Sequence, residues 1–251
     1  MKVKTSLLTT VITVTASAAF AQAAAPAPAP DTSWKSSAAA GLTLTRGNSS
    51  TLLATLGATT EKKWDMNEVS LGIDGAYGTS KVNGVKQTTA GSIHGFMQYN
   101  RLFNERLYGY LRVEGLNDAI ANINYRGTVS PGLGYYFIKQ KKTDLSAEVG
   151  PSFVFEKLAG KSQTFLALRV AEKFHHELND RARIWEMAEI LPQVDKFENF
   201  IVNAEAGIEA DLTADKKLSL RAVLQDTYNS IPAAGQYKND AKIITAIAYK
   251  F

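Results

Sequence analysis

The sequence predicts an all-β protein, an antiparallel transmembrane β-barrel of about twelve strands. Three observations predict it. Long segments carry apolar residues at every second position. An export signal opens the chain, and its last strand stops on an aromatic residue.

The first element is the leader. Lys2 and Lys4 form a positive segment, Ser6 to Ala18 carries no charge, and Ala19-Phe20-Ala21 is a small-x-small cleavage site. This is the pattern of a secretory signal peptide over residues 1–21. The stretch is too short and too rich in Thr to span a bilayer as a helix. Cleavage leaves 26 basic and 24 acidic side chains, so the mature chain is close to neutral. Its basic residues are dispersed, which argues against nucleic acid as a partner. The chain has no cysteine, which excludes disulfides, Cys-ligated metals and thiol catalysis. Residues 22–33 alternate Ala with Pro and read as an extended spacer.

The barrel is expected over residues 34–251. Val69, Leu71 and Ile73 alternate with Glu68, Ser70, Gly72 and Asp74. Leu145, Ala147, Val149, Phe153 and Phe155 alternate with Ser146, Glu148, Ser152 and Glu156. Repeating this reading gives strand cores at 34–46, 50–62, 67–78, 87–101, 105–116, 123–137, 143–156, 162–175, 181–191, 199–212, 216–227 and 240–251. A tilted strand needs roughly 9–11 residues to cross a bilayer, and these runs suffice. The even count suits a bacterial barrel and puts both termini on the periplasmic side.

The connections are expected to alternate in length. Lys63 to Met66, Leu102 to Asn104, Lys139 to Lys142, Glu177 to Asp180 and Thr213 to Asp215 read as short turns. Gly78 to Lys86, Asn117 to Asn122, Lys157 to Lys161, Pro192 to Glu198 and Asn229 to Asn239 read as longer outer loops, with Gly47-Asn48-Ser49 a tight exception. Aromatics fall where headgroups would lie. Trp34, Trp64, Phe103, Phe137, Phe174, Tyr249 and Phe251 form the expected periplasmic girdle, and Tyr77, Phe155, Phe200 and Tyr228 stand near the opposite ends. The segment Arg183 to Ile190 fits least well, because Glu186 and Glu189 have opposite parity. It predicts a bulge, or Glu189 at the outer interface.

Several segments in order carry a family resemblance: Gly41-Leu42-Thr43-Leu44-Thr45-Arg46-Gly47-Asn48, Gly132-Leu133-Gly134-Tyr135, Leu145-Ser146-Ala147-Glu148-Val149-Gly150, Tyr228-Asn229-Ser230-Ile231-Pro232, Lys238-Asn239-Asp240 and Tyr249-Lys250-Phe251. From Trp34 onward the chain resembles the salt-induced outer membrane protein family, a domain of unknown function. The resemblance implies an outer-membrane β-barrel and brings no catalytic residue with it. "Salt-induced" describes expression, not an activity.

No catalytic or cofactor motif stands out. Ser92 and His94 share a face but lie about 7 Å apart along a strand, and consecutive His175 and His176 point to opposite faces. An enzyme, a cofactor and a metal site are therefore not expected. The lumen is the candidate site. Parity turns Glu68, Asp74, His94, Arg106, Arg112, Glu114, Arg126, Glu148, Glu156, Arg169, Lys173, Glu205, Glu209 and Arg221 inward. Gly72, Gly127, Gly132, Gly134 and Gly207 are expected to leave room beside them. Such a lumen is either a narrow passive channel for small polar or charged solutes, the preferred reading, or a closed structural barrel braced by its own ion pairs. The expected partners are outer-membrane lipid and the barrel-assembly machinery, the latter met through the C-terminal strand ending at Phe251.

Overall fold

The computed structural model describes residues 32–45, 49–82 and 85–251. The predicted signal peptide, the spacer up to residue 31 and the tight turn at 46–48 lie outside the described residues.

Twelve strands follow one another: β1 Lys35–Thr45, β2 Ser49–Trp64, β3 Asn67–Val82, β4 Val85–Leu102, β5 Leu107–Asp118, β6 Ile123–Lys139, β7 Thr143–Leu158, β8 Lys161–Asn179, β9 Ala182–Gln193, β10 Lys196–Asp211, β11 Leu218–Asn229 and β12 Asn239–Lys250. Each pairs antiparallel with its sequence neighbours, and β1 pairs with β12 to close the barrel. Closure leaves no free sheet edge around most of the wall, as a hydrocarbon surrounding requires.

The period of two sorts the side chains. Leu56, Ile73, Leu111, Leu133, Val149 and Leu224 stand exposed on the outside, on six different strands. An exposed apolar belt around a closed sheet suits lipid contact and would be a liability in water. The inside is polar, but it is packed rather than empty: Ser130, Ser152, Arg169 and Ser219 are wholly buried.

The connections differ from expectation. At the end holding both termini they are 65–66, 103–106, 140–142, 180–181 and 212–217. At the other end 119–122, 159–160 and 194–195 are just as short, and among the described residues only 230–238 forms a long connection there. The segments read as outer loops continue their strands instead: Ser80 still pairs with Gln87, and Lys157 with Ser162. Polar residues beyond the belt keep the ladder because pairing satisfies their backbone groups. Ala159 and Gly160 both have positive φ, the pattern of a two-residue type I′ hairpin.

β9 has no bulge where one was expected. Its register against β10 is regular from Ala182 to Leu191. Glu189 faces inward, buried against Arg169, and Glu186 is the carboxylate left exposed on the outer face. The ion pair, which the sequence pattern does not display, decides which carboxylate goes inside.

Candidate functional site in the barrel lumen

One side of the lumen is filled by a charged network. The Arg169 guanidinium on β8 donates Nε to Glu189 and Nη1 to Glu148, both at 2.8 Å. Glu148 on β7 also accepts from Lys173 Nζ at 2.9 Å, Gln98 Nε2 at 2.7 Å and the Tyr108 hydroxyl at 3.0 Å. Gln98 lies on β4 and its Oε1 also accepts from Lys173 Nζ at 2.8 Å, so bonds to Gln98 join walls three and four strands apart. Tyr136 on β6 likewise reaches Glu68 on β3 at 2.8 Å. Toward the end holding the termini, Met66, Leu102, Tyr108, Tyr110 and Tyr136 pack together beneath this network.

A second network braces β9 to β12. Glu209 on β10 accepts from Arg183 at 2.8 Å, Arg221 at 2.7 Å, Lys250 at 2.9 Å and the Ser219 hydroxyl at 2.9 Å. A buried carboxylate is tolerable only when it is paired and hydrogen-bonded, and four donors meet that need.

The remaining space lies off-centre, a cavity of about 630 Å³. Its wall from β1 to β3 is built of small residues, among them Ala39, Thr55, Gly57, Thr59 and Ser70. The rest of its lining presents His94, Arg112, Glu114, Lys173 and Glu205. His94 bridges two carboxylates, with Nδ1 at 3.0 Å from Asp74 and Nε2 at 3.5 Å from Glu114, and Arg112 pairs with Glu114 at 2.6 Å. Glu205 accepts from Trp185 Nε1 at 2.7 Å and Gln225 Nε2 at 2.9 Å, both uncharged donors. Among the described residues no Lys or Arg lies within ion-pair distance of Glu205 or Asp74. Glu205 therefore keeps charge that can act on a solute in the cavity, while Asp74 shares its charge with the His94 ring.

Glu68, Asp74, His94, Arg112, Glu114, Arg126, Glu148, Arg169, Glu205, Glu209 and Arg221 all sit on the inner face. They divide by accessibility: Arg169, Glu148 and Glu209 are locked in networks, while Asp74 and His94 border open space. Arg106 is a correction. It lies in the exposed turn before β5, beyond the last inward position of the strand. Gly127 is a second: it shares the outward parity of Tyr125 and Val129.

The inward glycines do not leave empty room beside the charges. Gly72, Gly132, Gly134 and Gly207 each face an aromatic ring from the cross-strand partner: Phe96, Tyr110, Tyr108 and Trp185 respectively. A Cβ at any of the four would collide with that ring. These aromatics, with Gln98 and Glu189, are lumen residues that the charge inventory missed. The usable signal was an inward glycine opposite an inward aromatic.

On the outside, Trp34, Phe103, Phe137, Tyr249 and Phe251 are exposed near the end holding the termini. Trp64 is half-buried, and Lys62 Nζ sits 5.7 Å from the ring centroids of both Trp34 and Trp64. Phe174 is half-buried and stacks on His176 at 6.3 Å. Among the described residues no three His, Cys, Asp or Glu side chains are placed to hold a metal ion.

A family model described as "Protein of unknown function, DUF481" matches residues 38–251. No curated protein matches the chain. Among solved structures, the NanC porin is 7% identical, with 86% of this chain and 98% of that chain covered and a TM-score of 0.49. The translocator domain of autotransporter NalP from Neisseria meningitidis is 13% identical over 87% of each chain, with a TM-score of 0.47. The outer membrane channel DcaP of Acinetobacter baumannii is 10% identical over 87% of this chain and 95% of that chain, with a TM-score of 0.41.

Proposed function

The chain belongs to the DUF481 family of proteins of unknown function, and from its lumen we propose a narrow passive channel of the bacterial outer membrane for small polar or charged solutes. The observation that carries this reading is the off-centre cavity, lined by small residues of β1 to β3 and by Asp74, His94 and Glu205. A cavity of this volume suits a small solute. Groups of both signs facing it would orient a polar one, and Glu205, whose partners are uncharged, would favour cations. No step in this function makes or breaks a covalent bond.

The same reading includes the route to the membrane. The leader directs export and is removed. The C-terminal strand ending at Phe251 engages the barrel-assembly machinery, and the exposed apolar belt meets outer-membrane lipid. The salt induction implied by the resemblance concerns expression and enters no step of transport.

A closed structural barrel is the second reading. It is favoured by the Arg169 network, which joins β4, β7, β8 and β9 and fills the other half of the lumen. Planar-bilayer conductance of the refolded mature protein separates the two. The preparation is first checked for a gel-mobility shift on boiling. Discrete steps with reproducible ion selectivity are expected of the channel. A heat-modifiable barrel without steps would leave the structural reading.

A further inference from the structure

The seam that closes the barrel is short. β1 and β12 pair only from Ser37–Lys250 to Ala40–Ile247, with reciprocal backbone bonds between Ser36 and Phe251 beneath. The ladders on either side, β1 with β2 and β11 with β12, each hold eleven residue pairs. Continuing the seam register would set Gly41 against Ala246. At this point Gly41 lies against the Thr245 carbonyl, where a Cβ would collide with it. The pairing stops there: among the described residues no pair joins Gly41–Thr45 to Asn239–Ala246.

This gap lies in the apolar belt. Leu42 and Ile243, on its two banks, point outward and are 64% and 74% exposed. Unpaired backbone is costly in hydrocarbon and is tolerated at membrane depth only where it lines a protein cavity or water. The lumen cavity reaches the β12 bank, touching Ile244 and Ala246, and on β1 it touches Ala39 just below the gap. Beside the gap the cavity wall is apolar, through Val223 on β11 and Ile244 and Ala246 on β12. Lys242 borders the same cavity.

We propose that the seam is a lateral portal, through which a single-chain amphipath passes between lumen and bilayer. The apolar tail follows Val223, Ile244 and Ala246 to the gap. The polar head stays in the cavity beside Lys242, and the unpaired backbone groups at the gap take up its polar atoms. This function goes beyond axial passage of polar solutes, which needs neither an apolar inner wall nor an interrupted ladder, and it does not depend on that reading.

The test uses the refolded mature barrel in phosphatidylcholine vesicles, with Trp34→Phe and Trp64→Phe so that only Trp185, which lines the cavity, fluoresces. The probe is lysophosphatidylcholine carrying a spin label on its acyl chain. Leu42→Cys and Thr245→Cys supply the only thiols, and oxidation staples the seam. Quenching of Trp185 in the reduced protein, lost on oxidation and restored by reductant, is expected. Equal quenching in both states, or none in either, overturns the portal. If the double variant does not fold, amide exchange in the unstapled barrel decides. The amides of 41–45 that face β12 should exchange far faster than those of 51–55 on β2, and equal protection overturns the proposal. Ionic conductance in the same vesicles reports on axial passage separately, so failure of one reading is distinguishable from failure of the other.

Discussion

The indole of Trp185 on β9 lies over Gly207, its cross-strand partner on β10, so closely that a Cβ on residue 207 would run into the ring. The contact aims the indole N–H at Glu205, 2.7 Å away, and Arg221 covers the ring at 5.6 Å. A backbone position without a side chain thus fixes the orientation of a cavity carboxylate.

Gly207→Ala should therefore cost about 1–3 kcal/mol, the usual range for overpacking. It should also free the indole from Glu205, which a change in Trp185 emission would report. Gly115→Ala is the control, since a Cβ there meets nothing within 4 Å. Equal heat-modification temperatures for the two variants would remove the steric argument.

Arg169 is the residue on which the filled half of the lumen depends. It is 0% exposed and bonded to two buried carboxylates. Arg169→Met leaves both without that partner and should cost roughly 3–5 kcal/mol. Adding Glu189→Gln should recover part of the loss, because one uncompensated charge disappears. Arg169→Lys should not rescue, since a lysine lacks the fork that reaches Glu189 through Nε and Glu148 through Nη1 together. Unfolding temperatures in detergent, read by gel mobility, check the series. A double variant no better than Arg169→Met would show that Glu189 does not need its partner.

How much of this was legible beforehand follows from what periodicity records. Alternation records which face a side chain takes, so all twelve strands and the inward set could be read, from Glu68 to Arg221. Strand ends were less legible, because segments such as Thr79–Val82 are polar like loops yet stay paired. Arg106 failed for the same reason: its parity was inward, but the strand begins one residue later. Pairing across the lumen, such as Glu148 with Gln98, depends on barrel diameter and shear, which no local pattern carries. Hence the sequence could not tell a saturated Glu209 from an available Glu205.

That distinction makes a prediction for ion selectivity. Asp74→Asn and Glu205→Gln each remove a carboxylate that borders the cavity without a Lys or Arg partner, and each should shift reversal potentials away from cations. Glu209→Gln removes one that already has three cationic partners, so it should lower stability with little change in selectivity. Arg112→Ala should behave like Glu209→Gln, because Arg112 is 4% exposed and bonded to Gln98 and Glu114. Reversal potentials in a salt gradient rank the four, and a ranking led by Glu209→Gln would refute the division between networked and available charges.

The β10–β11 turn offers a pH test outside the membrane-spanning segments. Asp215 accepts the Thr213 hydroxyl at 2.6 Å and the Lys217 amide at 3.1 Å, and Thr213 in turn accepts the Leu218 amide at 3.2 Å. The Thr213 hydroxyl first, and then the Lys217 amide, hold the Asp215 carboxyl below its ordinary range. A lowered folded value means that the ionised form is favoured by the turn. Its contribution is complete above the ordinary aspartate pKa and is lost as pH falls through the lowered one. Amide protection at Lys217 and Leu218 should accordingly fall in acid, below the ordinary carboxylate range, while global heat-modification stays unchanged because the carboxyl is fully exposed to water. Asp215→Asn should remove the pH dependence and leave protection at a constant reduced level. Protection that is flat with pH in the unaltered chain, or equally pH-dependent in the variant, would mean that another group holds the turn.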